Sequence, residues 1–432
     1  MFIKSKGTHI SEHKGHKELS STAPVFEYLK PEYVYIPLVE SNAPCEALVK
    51  VGDTVKIGQV VAKKTGRFPI NLHASVSGEV VSINQRMWHC SGKMVPTIQI
   101  KNDYKETKVE TKPNDVDSLT KEEIIEIIKD CGIVGLGGGS FPAYVKYQTD
   151  HKIDCVILNA AECEPYLTAD YTLLNHNLDT VLRGLRYIMK AVSSERGVIA
   201  IKANKKALIE KIRLAIADQN DLSLFLLKDV YPAGWEKYIV QRVTKKDYHG
   251  LPSEAGAVVN NVGTAHAVCR AVEENQPLVD KILTITGEGI KNPQNVHVKV
   301  GTNLKEVIQV IGGYQPDLGD AYLIAGGPMT GKSVVFDNLI ANRALTSVVV
   351  MPKDIREVNP ECMGCGKCSD VCPVFLSPIV IRDTLKDNEV EKLVELRPEL
   401  CMQCGLCSYI CPSRIELTDA VVRAKNRVLT RR

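Results

Sequence analysis

Two runs near the end of the chain, CMGCGKCSDVCP and CMQCGLCSYICP, place Cys362, Cys365, Cys368 and Cys372 in one and Cys401, Cys404, Cys407 and Cys411 in the other. Each reads C-x2-C-x2-C-x3-C-P. Three thiolates two residues apart can wrap one iron–sulfur cube, and the fourth, a helical turn further on, points to the neighbouring cube. The expected ligand sets are therefore crossed: Cys362, Cys365, Cys368 and Cys411 for one [4Fe–4S] cluster, and Cys401, Cys404, Cys407 and Cys372 for the other. Pro373 and Pro412 withhold an N–H and turn the chain out of each binding loop. Structural zinc normally uses two C-x-x-C pairs separated by a longer loop and explains the triple run poorly. Two cubanes in this arrangement are a one-electron wire, so a redox protein is expected.

The remaining composition narrows the setting. Eight of the fourteen cysteines lie in these two runs of a 432-residue chain, which argues against a disulfide scaffold and for a reducing compartment. Cys45, Cys90, Cys131, Cys155, Cys163 and Cys269 share no spacing and read as core thiols. The charge is nearly balanced, with 54 basic and 51 acidic residues and no basic block, so no nucleic-acid partner is expected. The longest apolar runs, such as AYLIA and SVVVM, are strand-sized, far short of the roughly 18 to 20 residues of a membrane span. The opening MFIKSKGTHISEHKGHK lacks an apolar signal-peptide core, so a cytoplasmic chain is expected, with any membrane contact made through partners.

Several organised regions follow one another. From about Tyr33 to Ile100, VKVGDTVKIGQVVAKK and HASVSGEVVSI look like the two half-motifs of a biotinyl/lipoyl-type barrel sandwich. The tip where a carrier would present a modified lysine reads GRFPIN, without lysine, so a structural role is expected. KNDYKETKVETKPNDVDS reads as an exposed linker. Thr120 and Glu123 then form a capping box ahead of a helix ending in glycine. A buried strand from Cys155, a helix from about Ala169 to Val192, and a further strand and helix in GVIAIKANKKALIEKIRLAIADQ predict an α/β layer around a largely parallel sheet. Such sheets bind ligands at the carboxyl ends of their strands. Residues from about Leu283 to Pro352 suit a small α+β domain.

GLGGGSFPAYVKY, ahead of that first strand, concentrates Gly135, Gly137, Gly138 and Gly139, which permit positive φ and close approach of a ligand to backbone N–H groups. Pro142 suits the first turn of a following helix, whose N-terminus would favour a phosphate. This segment resembles the G-R-G-G-A-G-F-P-x-x-x-K-W loop of the flavoprotein subunit of respiratory complex I. NAAECEP, YPAGWEKYIV and VVNNVGT, in the same order, are similar to that family's N-A-D-E-x-E-P, Y-x-x-G-E-E and V-V-N-N-V-E-T. The resemblance implies contacts to non-covalent FMN from Gly135, Gly137, Gly138, Lys146, Asn159, Glu162, Gly234, Asn260 and Asn261, with Gly139 in the same cradle and Lys146 on the phosphate. It implies that Phe141, Glu164, Tyr231 and Glu236 meet NAD(H), with Glu162 and Glu164 as candidates near the chemistry. Leu136, Ala161 and Trp235 depart from the pattern, at an arginine, an acidic residue and a glutamate.

The whole order resembles the RnfC family, the C subunits of the Rnf complexes, which are membrane ion-translocating ferredoxin:NAD oxidoreductases; GTHISEHK is similar to that family's N-terminal G-x-H-x-x-x-x-K. The resemblance implies a multidomain α/β and α+β chain: a barrel-sandwich domain over 1–112, a Rossmann-like FMN/NADH domain over 113–270, a soluble ligand-binding β-grasp domain over 271–352, and a helical twin-cluster ferredoxin-like domain over 353–432. It further implies two [4Fe–4S] clusters, FMN, NAD(H) as substrate, and peripheral attachment at the cytoplasmic face of the membrane. The implied partners are the other Rnf-type subunits, including a ferredoxin-accepting iron–sulfur subunit and membrane flavoproteins. A soluble cobalamin reductase and a non-catalytic electron-transfer scaffold are alternative readings.

Two patterns read as decoys. GGPMTGKS matches G-x-x-x-x-G-K-[ST] from Gly326, but SVVFDN does not read as the helix that a phosphate loop must open. His9, His13 and His16 lie in a charged segment that reads as solvated.

Overall fold

The computed structural model describes residues 14–41, 43–353, 359 and 361–431; the Gly7 and His9 of the N-terminal signature, and His13, lie outside them. The strands Cys155–Ala160, Gly197–Lys202, Leu222–Leu227 and Ala257–Asn261 form one sheet in the order third, second, first, fourth, with every pairing parallel. They are nearly continuous apolar runs because helices cover both faces. Val156, Leu158, Ile199 and Ile201 pack on the side of helices Lys121–Asp130, Ala169–Ala191 and Val262–Glu274. Cys155, Ile157, Val198 and Ala200 pack on the side of Glu236–Thr244. The Thr120 capping box is present: Glu123 N–H donates to the Thr120 hydroxyl at 3.3 Å, and Thr120 N–H donates to the Glu123 carboxylate at 2.7 Å. Such a cap stabilises a helix by about 1 kcal/mol.

Ahead of this layer, two four-stranded sheets enclose a core of Val34, Ile36, Val61, Leu72, Val80, Ile98 and Ile100. One contains the long hairpin Gly78–His89 and Lys93–Asn102; the other contains Ala43–Ala47, Val60–Lys64 and Ile70–His73. A six-stranded mixed sheet follows the parallel layer, from Asp280–Thr286 to Ser347–Pro352. Its outer strand is Phe26–Tyr28, which precedes the barrel sandwich in sequence and pairs in parallel with Gln294–Lys299. Short helices, including Pro378–Lys386 and Leu417–Leu429, hold the cysteine runs. Among the described residues, no helix is long and apolar enough to cross a membrane.

Local chemistry accounts for the decoy. After Gly331 the chain enters the edge strand Lys332–Val334, which pairs with Leu323–Ala325, so no helix opens behind the lysine. Pro142, expected in the first turn of a following helix, is the N-cap of a five-residue helix, Ala143–Tyr147.

Candidate flavin site and cluster ligands

The strand order of the parallel sheet reverses between Cys155–Ala160 and Ala257–Asn261, so a crevice opens at their carboxyl ends. Asn159 and Asn261 are paired across it. A cavity of about 1070 Å³ begins there, walled by Gly137, Gly138, Asn159, Glu162 and Asn261, and by Glu164, Tyr231 and Gly234. Gly138 has φ +103°, which disfavours any side chain, and a Cβ on Gly137 would stand 3.4 Å from Asn261. Asn159 donates to the Gly234 carbonyl at 2.8 Å, tying two of the sequence motifs together.

Six expected residues are not on this wall. Gly135 N–H donates to the Phe141 carbonyl at 2.8 Å and closes the glycine loop from behind, and Gly139 also lies off the wall. Phe141 packs edge-on against Phe68 of the barrel sandwich, with centroids 5.5 Å apart. Lys146 and Glu236 lie off the cavity wall: the Lys146 ammonium donates to Glu236 at 3.2 Å and to the Val259 carbonyl at 2.9 Å. Asn260 is buried, and its carbonyl oxygen accepts from the Tyr147 hydroxyl at 2.9 Å. Its amide nitrogen is buried without a protein partner. Glu164 is on the wall but its Oε1 accepts from the Met329 and Thr330 N–H groups at 2.8 and 3.0 Å, so it is held by the mixed-sheet domain.

Asp170 and Lys17, which no sequence motif marks, complete the electrostatics around Glu162. Glu162, at φ +35°, is held in a strained backbone conformation and accepts from the N–H groups of Asp170 and Tyr171 at 2.7 and 3.3 Å. Asp170, also on the cavity wall, accepts from the Asn261 amide at 2.6 Å. Lys17 arrives from the N-terminal segment, 4.0 Å from Glu162, and donates to the carbonyls of Glu164 and Leu167. Burial is the main cause that raises both carboxyl groups above the ordinary carboxylate range; the Glu162 charge raises Asp170 further, while Lys17 opposes both shifts. Burial lowers Lys17 to about 8.

A carboxyl with a raised folded value binds its proton more tightly in the folded chain. Its stabilising contribution is full below the unfolded value and is lost as pH rises through the folded one. The groups facing Asp170 are Glu162, Lys17, Lys281 and the Asn261 amide. Asp170→Asn, which keeps an acceptor for Asn261, is expected to gain melting temperature relative to wild type as pH rises from about 4 to about 8. Thermal denaturation across that range checks this; a difference that is constant with pH, or that shrinks, contradicts it.

The two cysteine runs lie against each other. The thiols of Cys401, Cys404 and Cys407 each lie within electrostatic range of Cys372, which packs against Cys401 in a small core with Leu376, Leu393 and Val421. Cys368 packs with Ile415 and Leu417, and both Cys407 and Cys411 pack against that cluster. Backbone N–H groups of Gly364, Leu376 and Gln403 donate to the sulfurs of Cys362, Cys372 and Cys401 at 3.3, 3.3 and 3.4 Å, the kind of bond that stabilises thiolate ligands. No three His, Cys, Asp or Glu side chains among the described residues converge on one point as ligands of a single ion do. A cube, which takes each thiolate at a separate corner, does not need such convergence. Cys362 and Cys365 are exposed, whereas the Cys401–Cys411 run is partly covered. Met402 and Cys404 form part of the wall of the flavin cavity.

This fold and site define a flavin and iron–sulfur electron-transfer protein. The chain matches the families described as RnfC barrel sandwich hybrid domain over residues 4–105, Nuo51 FMN-binding domain over 128–270, SLBB domain over 282–333 and 4Fe-4S dicluster domain over 361–415. It is 36% identical to the C subunit of the Na+-translocating ferredoxin:NAD+ oxidoreductase complex of Acetobacterium woodii, over 87% of this chain and 86% of that one. The C subunit of the proton-translocating ferredoxin:NAD+ oxidoreductase complex of Clostridium ljungdahlii is also 36% identical, over 84% and 81%. The corresponding C subunit of the ion-translocating oxidoreductase complex of Rhodobacter capsulatus is 32% identical, over 87% and 74%. The chain belongs to the RnfC family. A solved NAD+-reducing [NiFe]-hydrogenase in the H2-reduced state shares the fold with a TM-score of 0.50 at 18% identity, over 73% of this chain and 64% of that one. These relatives do not favour the cobalamin-reductase reading.

Proposed function

We propose that the chain is the NAD(H)-handling, FMN-binding electron-transfer subunit of an ion-translocating ferredoxin:NAD oxidoreductase complex. One observation carries this reading: a single cavity is bounded by the glycine loop and strand ends on one side and by Met402 and Cys404 on the other. When bound, the flavin supplies exchange between a two-electron hydride and single electrons, and the two [4Fe–4S] clusters supply one-electron carriers.

The chain's own residues prepare that place. Gly137 and Gly138 leave the backbone open to a ligand, and the Asn159 and Asn261 side chains offer polar groups at the strand ends. Glu162 and Asp170 hold protonatable carboxyl groups at the wall. Tyr231 and Gly234 bound the side toward the second cysteine run. In finer detail, the parallel layer is read as Rossmann-like, the mixed sheet as a β-grasp, and the four domains as 1–112, 113–270, 271–352 and 353–432. The exposed Cys362 and Cys365 are read as the end that faces a partner. The partners are a ferredoxin-accepting iron–sulfur subunit and membrane flavoproteins, met at the cytoplasmic face.

Anaerobic reconstitution with iron, sulfide and FMN tests this. About eight irons and one flavin per chain are expected. About four irons, bound zinc, or no retained flavin contradicts the reading.

A further inference from the structure

The turn Gly326–Gly331 spells a phosphate loop, yet it serves a different contact. On one side its N–H groups are filled by a carboxylate of the flavin domain: Glu164 Oε1 accepts from Met329 N–H at 2.8 Å, Thr330 N–H at 3.0 Å and the Thr330 hydroxyl at 3.3 Å. Gly327 leaves no room for a side chain, since a Cβ there would overlap the Glu164 side chain. On the other side of the turn stands Gly405, between Cys404 and Cys407, in the left-handed region at φ +81°; a Cβ on it would lie 2.5 Å from the Met329 carbonyl oxygen. Tyr231, from the flavin domain, closes the triangle by donating its hydroxyl to the Cys404 carbonyl at 2.7 Å.

Three segments thus meet within one turn: the flavin-cavity wall at Glu164 and Tyr231, the mixed-sheet domain at Met329 and Thr330, and the second cysteine run at Cys404 and Gly405. We propose that the Gly326–Gly331 turn is a positioning element that seats the Cys404–Gly405 loop against Glu164, and so sets how far the second cluster lies from the flavin cavity. The inference rests on the flavin and cluster assignments above. Its balance closes on named reactants: NADH gives up one hydride to become NAD+, the two clusters take up one electron each, and the remaining proton is released to solvent. The turn takes no part in the hydride step. It acts on the transfer between the cavity and the second cluster, where small displacements matter.

The test uses the full chain reconstituted with both cofactors. Gly327→Ala pushes the turn away from Glu164, and Gly405→Ala pushes it away from the cysteine run. In anaerobic rapid mixing with NADH, flavin bleaching and cluster reduction are followed as separate phases after iron and FMN have been counted. Both variants are expected to keep wild-type flavin bleaching while cluster reduction slows by about tenfold or more, the scale on which ångström displacements affect preorganised sites. Gly405 adjoins cluster ligands, so if that variant loses iron, Gly327→Ala, remote from the cysteines in sequence, decides the matter. Cluster reduction at the wild-type rate in Gly327→Ala overturns the proposal. Equal slowing of both phases also overturns it, because the turn would then serve the nucleotide site. No bleaching in the wild-type chain is a different signature, and it removes the underlying reading together with the inference.

Discussion

Cys372→Ala is expected to remove the cluster of the second cysteine run and to spare the cluster of the first, although Cys372 belongs to the first run in sequence. Its thiol lies near those of Cys401, Cys404 and Cys407, and the C-x2-C-x2-C-x3-C-P spacing sends the fourth thiolate of each run to the neighbouring cube. Cys411→Ala should produce the mirror result. Iron should fall from about eight to about four per chain in each variant, because each variant deprives one [4Fe–4S] centre of a ligand. The two variants should then differ in which spectroscopic signal survives, and Cys372→Ala should lose the centre beside Met402 and Cys404. Uncrossed ligand sets would reverse the two signatures, which electron paramagnetic resonance of the reduced proteins can distinguish.

Arg343→Ala is expected to be the most damaging substitution outside the cysteines. Arg343 and Glu40 are 4% and 5% exposed, in different domains and 303 residues apart in sequence. The guanidinium donates to Glu40 at 2.6 and 2.9 Å, to the Gly132 carbonyl at 2.8 Å and to the Asn71 carbonyl at 3.0 Å. Glu40 in turn accepts from the hydroxyl of Ser140, which ends the glycine loop at φ +48°, and Ser41 donates to the Ser140 carbonyl at 2.8 Å. The pair therefore pins the barrel sandwich, the flavin loop and the mixed-sheet domain together. Removing one partner leaves a buried, uncompensated charge and should cost about 3 to 5 kcal/mol. Chemical denaturation measures that loss. FMN affinity should fall as well, because the glycine loop loses its outer support. The double variant Glu40→Gln with Arg343→Met should recover part of the stability, since no charge is left stranded. A loss below about 1 kcal/mol for Arg343→Ala would show that the pair does not hold the domains together.

This network gives the barrel sandwich a role that its carrier-like pattern does not describe. The lysine-free tip GRFPIN brings Phe68 against Phe141, and Arg67 lies over the Phe68 ring at 4.8 Å. A hairpin tip that would display a modified residue in a carrier here supports the glycine loop.

Contacts set by spacing along one segment were legible in the sequence; contacts between segments were not. The capping box at Thr120 and the strand-helix alternation of the parallel layer both depend on short-range periodicity. The glycine loop with Asn159, Glu162, Tyr231 and Asn261 was legible because each motif ends an element that the sheet brings to the same crevice. Lys146, Glu236 and Phe141 lie off the cavity wall, and their side chains have partners that motif comparison does not weigh: each other for the first two, and Phe68 for the third. Asp170 and Lys17 carry no local signal. Lys17 acquires its place only when the N-terminal segment folds back on carbonyls about 150 residues away. GGPMTGKS shows the same limit from the other direction, since its exposed N–H groups resemble an anion site and the anion they hold is Glu164 of the same chain.

The central claim is that one cavity joins hydride chemistry to single-electron transfer, and anaerobic rapid mixing of the reconstituted wild-type chain with NADH tests it most directly. Bleaching of the flavin followed by reduction of the clusters, with two electrons recovered per NADH consumed, is the expected record. A flavin that stays oxidised, or one that bleaches while both clusters remain oxidised, would contradict the account.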